Sequence, residues 1–194
     1  MTKIKICGLK RIEDVDYVNQ AMPDYAGFVF AGEKRKISFE TARQLKNRLD
    51  KRIQAVGVFI NEPLENVVKL CKDGIIDLIQ LHSDEDEWYI AKLKEQTDKQ
   101  IIKAVKVVNS TFHIPLSTLP LFDSGYGSGK TFDWNLIKSY KKPFFLAGGL
   151  NRDNLKQAIE ELQPYCVDLS TGVETNGVKD LAKILEVVKI AREE

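Results

Sequence analysis

Short runs rich in Ile, Val and Phe alternate along the chain with stretches whose apolar residues recur at helical spacing. The runs predict strands over residues 3–7, 25–30, 53–59, 75–81, 101–107, 120–123, 143–147 and 167–171. Between them the spacing predicts helices over 11–20, 38–49, from Pro63 onward, 86–97, 133–140, 151–162 and 178–192. Ser38 and Asn151 are placed as N-caps. Pro63 suits a first helical turn, where a missing N–H costs little. The alternation falters once. Between Val108 and Leu119 the stretch NSTFHIPLST contains Pro115 and is too short and broken for a helix.

Most of the strand runs are apolar on both faces, as in parallel sheets covered by helices. Eight such strands at nearly even spacing, with seven crossover helices, predict a compact (β/α)8 TIM barrel with a reduced or missing fifth helix. An open doubly wound sheet is the competing fold, and the even spacing favours closure. The 194 residues fit one barrel domain over 1–194.

Composition narrows the partners. The chain is 43% hydrophobic and 29% charged, which fits a globular protein. A formal net charge of +1 gives no basic field for nucleic acid. No apolar run approaches a membrane span, so no membrane partner is expected. The first strand follows the N-terminus directly with no signal-peptide pattern, and a cytoplasmic setting with free thiols is expected. Cys7, Cys71 and Cys166 are far apart and lack metal spacing, and His82 and His113 lack a ligand pattern. Cys71 and Cys166 are expected to be buried and inert.

In parallel barrels the C-terminal ends of the strands carry the chemistry. Cys7 ends the first strand before Gly8, either as a reactive group or as a small buried hydrophobe. Asp123 ends the sixth strand before the glycine-rich stretch SGYGSGKT. Ser124 and Gly125 already supply a turn there, which weighs for a functional Asp123 over a turn residue. His82 ends the fourth strand as a structural or a catalytic histidine. Gly148 and Gly149 follow strand seven, and Asp168, Ser170, Thr171 and Gly172 lie on or after strand eight. A Gly-Gly pair alone is usually a tight turn, but two such loops side by side, with their backbone N–H groups, suit an anion. Arg35, in EKRK after strand two, is either a solvated loop residue or a fork for a carboxylate. Gly125, Gly127 and Gly129 do not follow the P-loop pattern, so no nucleotide site is expected.

Taken together, these segments resemble the phosphoribosylanthranilate isomerase family over nearly the whole chain. The motifs are KICGL at 5–9, GFVF with Arg35 downstream, VGVF at 56–59, QLH at 80–82 and LFD at 121–123. They continue with GSGKTFDW at 127–134, AGGL at 147–150 and DLSTGVE at 168–174, in the family's order. The resemblance implies a (β/α)8 barrel that converts N-(5-phosphoribosyl)anthranilate to 1-(2-carboxyphenylamino)-1-deoxyribulose 5-phosphate by an Amadori rearrangement. It implies a small phosphosugar substrate, no metal or organic cofactor, and a monomer or homodimer. Cys7 matches the family's general base, Asp123 its general acid, and Arg35 the residue that binds the anthranilate carboxylate. The Gly148-Gly149 and Ser170-Thr171-Gly172 loops match its phosphate site, and His82 and Asp168 are placed among the substrate-binding residues. Ser83 stands where the family commonly has Gly after QLH, and the loop from Asp123 to GSGK looks short.

Such chemistry asks for unusual ionisation. A free Cys titrates at about 8.5 and a free Asp at about 3.9. Period two puts Lys5 on the strand face of Cys7, where its charge is expected to lower the thiol pKa, and a bound apolar substrate is expected to raise that of Asp123. The other phosphate-binding barrels fit less well. Indole-3-glycerol phosphate synthase uses a lysine acid, and pentose phosphate epimerases use acidic and metal-binding strand ends. A non-catalytic sugar-phosphate sensor would keep the anion loops without needing Cys7 and Asp123 together.

Overall fold

The structure, a computed structural model, describes residues 1–125 and 131–193. Gly127 and Gly129 of the glycine-rich stretch lie outside the described residues, as does the part of the GSGKTFDW motif before Thr131.

Eight parallel strands close into a barrel in sequence order. They are β1 (Lys3–Cys7), β2 (Tyr25–Val29), β3 (Gln54–Phe59), β4 (Leu78–Leu81), β5 (Ile101–Lys106), β6 (Leu119–Asp123), β7 (Phe145–Leu146) and β8 (Cys166–Leu169). The barrel closes where β1 meets β8, with Lys3 opposite Cys166 and Ile6 opposite Leu169. The helices are α1 (Ile12–Ala21), α2 (Phe39–Arg48), α3 (Leu64–Lys72), α4 (Glu87–Gln96), α5 (Leu155–Leu162) and α6 (Leu181–Glu193).

Alternation along each strand sorts the side chains into two cores. Ile4, Ile6, Phe28, Phe59, Ile79, Phe122 and Val167 point outward and are buried against the helices. Tyr25, Val56, Leu78, Ile102, Leu121, Phe145 and Cys166 fill the bore. One inward step nearer the C-terminal ends, the filling turns polar: Gln80 follows Leu78, Asp123 follows Leu121, and Asp168 follows Cys166. The apolar plug is thus the floor of the site and the polar layer its base.

Several elements differ from the sequence expectation. β4 begins at Leu78, because Ile75 and Ile76 are buried just after α3 and do not pair. β7 is only two residues long, and β8 ends at Leu169, before Ser170. Six α-helices stand among the described residues where seven crossover helices were expected. The connection after β6 carries one 3-10 turn, Trp134–Ile137, in place of a helix over 133–140. The outer face of β6 is sealed by rings instead. Phe122 contacts Phe112, Tyr140 and Phe144 at centroid distances of 4.8, 5.2 and 5.5 Å. Phe112 comes from the helix-free β5–β6 connection, so aromatic side chains do there what a fifth helix does elsewhere.

α5 starts at Leu155, with Asn154 and not Asn151 at its N-cap position. The Asn154 side chain turns back, accepting from the Asn151 N–H and donating to the Gly149 carbonyl, and so ties down the loop after β7. α6 starts at Leu181, because residues before it form a small hairpin of β9 (Glu174–Thr175) and β10 (Val178–Lys179). Its turn is Asn176-Gly177, with φ of 52° and 78°, the left-handed pair that tight hairpins favour.

Candidate active site

The polar mouth opens into a cavity of about 260 Å³. Nine of the ten residues singled out from the sequence line it: Cys7, Arg35, His82, Asp123, Gly148, Gly149, Asp168, Ser170 and Thr171. Gly172 does not. A Cβ there would lie 2.0 Å from the Leu150 carbonyl oxygen, so its missing side chain lets the β8 loop pack on the β7 loop.

Cys7 ends β1 beneath this cavity, 8% exposed. Gly27, its register partner on β2, leaves room for the thiol: a Cβ there would sit 2.6 Å from Sγ. Gly8 follows with a φ of 85° and lets the Arg35 side chain cross over it, where a Cβ would come within 2.3 Å of Arg35 Cδ. The Ser170 hydroxyl donates to the Cys7 carbonyl at 3.0 Å, and Lys179 Nζ donates to the Ser170 carbonyl at 3.0 Å. The Ser170 hydroxyl therefore fastens the end of β8 to the end of β1.

Lys5 is fully buried under the thiol. Its ammonium donates to Asp168 Oδ2 at 2.7 Å and to Gln80 Oε1 at 2.8 Å. Burial opposes the Lys5 charge, but Asp168 and Cys7 beside it more than offset that and hold its pKa above the ordinary lysine value. Lys5 does not leave Cys7 acidic. Burial pushes the thiol up, the Lys5 charge only partly pulls it back, and Asp168 pushes it further. The expectation of a lowered Cys7 pKa is thus reversed, because Asp168 pairs the Lys5 charge and water is excluded. The other cysteines are buried as expected, and burial raises both their pKa values.

Asp123 ends β6 across the bore. Its Oδ2 accepts from the Gly125 N–H at 3.1 Å and lies 3.6 Å from His82 Nε2. Burial disfavours its charge, but His82 and the Gly125 and Ser124 N–H groups prevail, so its pKa is lowered. Gly148 has a φ of 87°, and a Cβ there would sit 2.9 Å from Asp123 Oδ1. The loop after β7 therefore closes directly on the carboxylate. His82 Nδ1 in turn meets Gln80 Nε2 at 2.9 Å.

Arg35 reaches the cavity wall but is not a solvated loop residue. Nε and Nη2 engage Glu174 Oε1 and Oε2 at 2.9 and 3.0 Å. The remaining guanidinium N–H groups are left for a further acceptor. Glu174 also pairs with Lys179 at 2.9 Å. Burial opposes its charge, but Arg35 and Lys179 win and hold its carboxyl near a pKa of about 2. Ser83, after QLH, sits in a pinned loop: its N–H donates to Glu85 Oε2, and Glu85 pairs with the buried Lys103.

Sequence reasoning missed Gln80, Glu174 and Lys179 as parts of this site. Gln80 was visible as a polar residue inside an apolar strand, and Asn176-Gly177 marked the hairpin that carries Glu174 and Lys179. Among the described residues, no cluster of His, Cys, Asp and Glu could hold a metal ion, and no helix is long and apolar enough to cross a membrane.

Residues 4–190 match the family model described as N-(5'phosphoribosyl)anthranilate (PRA) isomerase. The N-(5'-phosphoribosyl)anthranilate isomerase of Endomicrobium trichonymphae is 58% identical over 199 aligned positions, covering 99% of each chain. The crystal structure of phosphoribosyl anthranilate isomerase from Thermotoga maritima superposes with a TM-score of 0.89 at 33% identity, covering 100% of both chains. A phosphoribosyl anthranilate isomerase in complex with reduced 1-(o-carboxyphenylamino)-1-deoxyribulose 5-phosphate superposes with a TM-score of 0.85 at 32% identity, again over 100% of both chains. On fold and sequence, this chain belongs to the phosphoribosylanthranilate isomerase family.

Proposed function

We propose that the barrel mouth of this isomerase carries out the Amadori rearrangement of N-(5-phosphoribosyl)anthranilate with Asp123 as general acid and Cys7 as general base. The observation that carries this reading is the position of the two groups. They end β1 and β6, three strands apart around the closed barrel, and line one cavity. A sugar between them meets a donor on one side and an acceptor on the other.

The electron flow then follows. Protonated Asp123 gives its proton to the furanose ring oxygen as the C1–O bond breaks, and the anthranilate nitrogen lone pair forms the Schiff base. The Cys7 thiolate takes the C2 proton, and those electrons form the C1–C2 double bond and neutralise the nitrogen. The enolamine loses its hydroxyl proton, C1 gains one, and the 2-keto product results. No other oxidant, reductant or group donor is needed for the balance.

Binding follows the same layout. Arg35 takes the anthranilate carboxylate with the N–H groups that Glu174 leaves. The Gly148-Gly149 loop and the Ser170-Thr171 backbone take the phosphate. Asp168 Oδ1 is buried without a hydrogen-bond partner, which fits an acceptor waiting for a ribose hydroxyl. A cytoplasmic setting fits the three free thiols. A monomer and a homodimer both fit, and light scattering separates them.

The test is turnover of phosphoribosylanthranilate by the purified wild type and by Cys7→Ala and Asp123→Asn. Turnover by the wild type that both variants lose supports the assignment. Wild-type turnover retained by either variant removes that residue from its role.

A further inference from the structure

The side chains between the two reacting groups form one directional chain. Lys5 Nζ donates to Gln80 Oε1, Gln80 Nε2 meets His82 Nδ1, and His82 Nε2 faces Asp123 Oδ2. The first link decides the rest. An ammonium has only donors, so the Gln80 face toward Lys5 must be its carbonyl oxygen. The amide NH2, also donor-only, is then the face toward His82. Nδ1 must therefore accept, and the ring proton of a neutral imidazole must sit on Nε2, toward Asp123. Protonating Nδ1 would set two donors against each other at 2.9 Å beside a fully buried cation.

We propose that Gln80 is a positioning residue that locks His82 as the neutral Nε2–H tautomer and so turns that N–H toward Asp123, 3.6 Å away, as a neutral donor and not an ion-pair partner. The inference rests on the acid role given to Asp123 above. Its chemical sense lies in what an imidazolium would do there. A full positive charge beside Asp123 would hold the carboxylate ionised and weaken it as an acid. A neutral donor orients the carboxylate and leaves its proton within reach of the ring oxygen. Lys5 thereby acts on both ends of the reaction: directly beneath Cys7, and through Gln80 and His82 on Asp123.

Other charges also bear on the ring. His82 shares a small side cavity with Asp84, Lys106 and Asp123, and its backbone N–H donates to the Phe59 carbonyl. Asp84 and Asp123 favour an imidazolium, Lys106 opposes it, and the donor face of Gln80 blocks the site where its extra proton would go.

The experiment is 15N NMR of the histidine rings in the intact protein between pH 6 and 9, joined to steady-state kinetics. The chain has two histidines, and His113 is exposed, so His113→Gln leaves the His82 signals alone. The neutral wild-type His82 ring is expected to carry its proton on Nε2 and leave Nδ1 unprotonated. Gln80→Glu, of nearly the same shape, turns the face toward Nδ1 into an acceptor. It is expected to make His82 an imidazolium that persists into the alkaline range and to lower kcat by roughly 10–100-fold, with KM within about threefold. Gln80→Met keeps length without charge and serves where the Glu variant does not fold. There the tautomer preference is expected to be lost and kcat to fall by about 10-fold. A neutral wild-type ring protonated on Nδ1 overturns the proposal, and so does a Gln80→Met enzyme with unchanged ring signals and kcat. Full turnover by Asp123→Asn would remove the acid assignment while leaving the tautomer result intact, so the two failures are distinguishable.

Discussion

Arg35 and Glu174 lie 139 residues apart in the chain and meet as a two-pronged ion pair at the rim of the cavity. Arg35 is on the loop after β2, and Glu174 opens the hairpin after β8. The fork proposed to hold the anthranilate carboxylate is thereby already held by a protein carboxylate.

Removing the Glu174 charge is expected to loosen Arg35. Glu174→Gln should raise KM by about 10-fold and leave kcat nearly unchanged, since the lost contact orients substrate in ground and transition states alike. Arg35→Lys should also weaken binding, because an ammonium cannot make the paired contacts. A product analogue lacking the carboxylate should bind both variants and wild type alike, as isothermal titration can show.

The same pair makes stability pH-dependent. Glu174 has a folded pKa of about 2 against an ordinary 4.5. A depressed carboxylate contributes its full stability above the ordinary value and loses it as pH falls toward the folded one. The difference in Tm between wild type and Glu174→Gln should therefore be constant above about pH 4.5 and shrink between 4.5 and 2. A difference that stays constant down to pH 2 would mean the pair adds nothing.

Cys7→Ala should lower kcat by at least ~100-fold, the low end for a positioned base. In the free wild-type enzyme the thiol pKa lies above its ordinary 9.0 and that of Asp123 below its ordinary 3.8. The resting pair is thus thiol and carboxylate, the reverse of what the proposed base and acid need, so under that proposal the working form is the minor one. A plot of kcat/KM against pH should still be a bell, with its limbs below 3.8 and above 9.0 and a broad plateau between. A limb near 6 or 7 would point to another titrating group.

Asp123→Asn keeps the shape but not the proton. It should lose kcat while binding a product analogue normally. Binding and turnover that fall together would make Asp123 structural. Gly148→Ala attacks the same carboxylate sterically, and a stability loss of about 1–3 kcal/mol is expected from the left-handed backbone.

Alkylation tests access to the cavity. Cys7 and Cys71 are similarly exposed, at 8% and 7%, while Cys166 is fully buried. Iodoacetamide should label Cys7 fastest, because it alone of the three lines the cavity. A product analogue carrying phosphate and carboxylate should shield it, and phosphate alone should shield it less. Labelling of Cys7 untouched by the full analogue would place the ligand elsewhere.

Much of the architecture was legible because buried parallel strands are apolar on both faces, and eight such runs stand out. The ends were not. Ile75-Ile76 reads as strand but fills the space beneath α3, and DWNLIKSY reads as helix where aromatic packing around Phe122 takes over. At the site, Cys7, Arg35 and Asp123 were legible as chemical groups at strand ends, helped by the family's motifs. Their partners were not. Lys5 is 75 residues from Gln80 and 163 from Asp168, and only barrel closure makes them neighbours. Burial of the thiol, and after it the unseen Asp168 pairing, turn the thiol pKa the opposite way from the one that Lys5 alone suggests.

The join between β1 and β8 has a consequence for the order in which the protein becomes an enzyme. A nascent chain emerging from the ribosome presents Cys7 and Lys5 well before Asp168, Ser170 and Glu174. Until the final strand docks, the Lys5 ammonium lacks its counter-ion, the Cys7 carbonyl lacks the Ser170 clasp, and Arg35 swings without Glu174. Activity should therefore appear only once β8 and the hairpin after it have been made, and a stalled translation product ending before residue 166 should be inert however much of its barrel wall has formed.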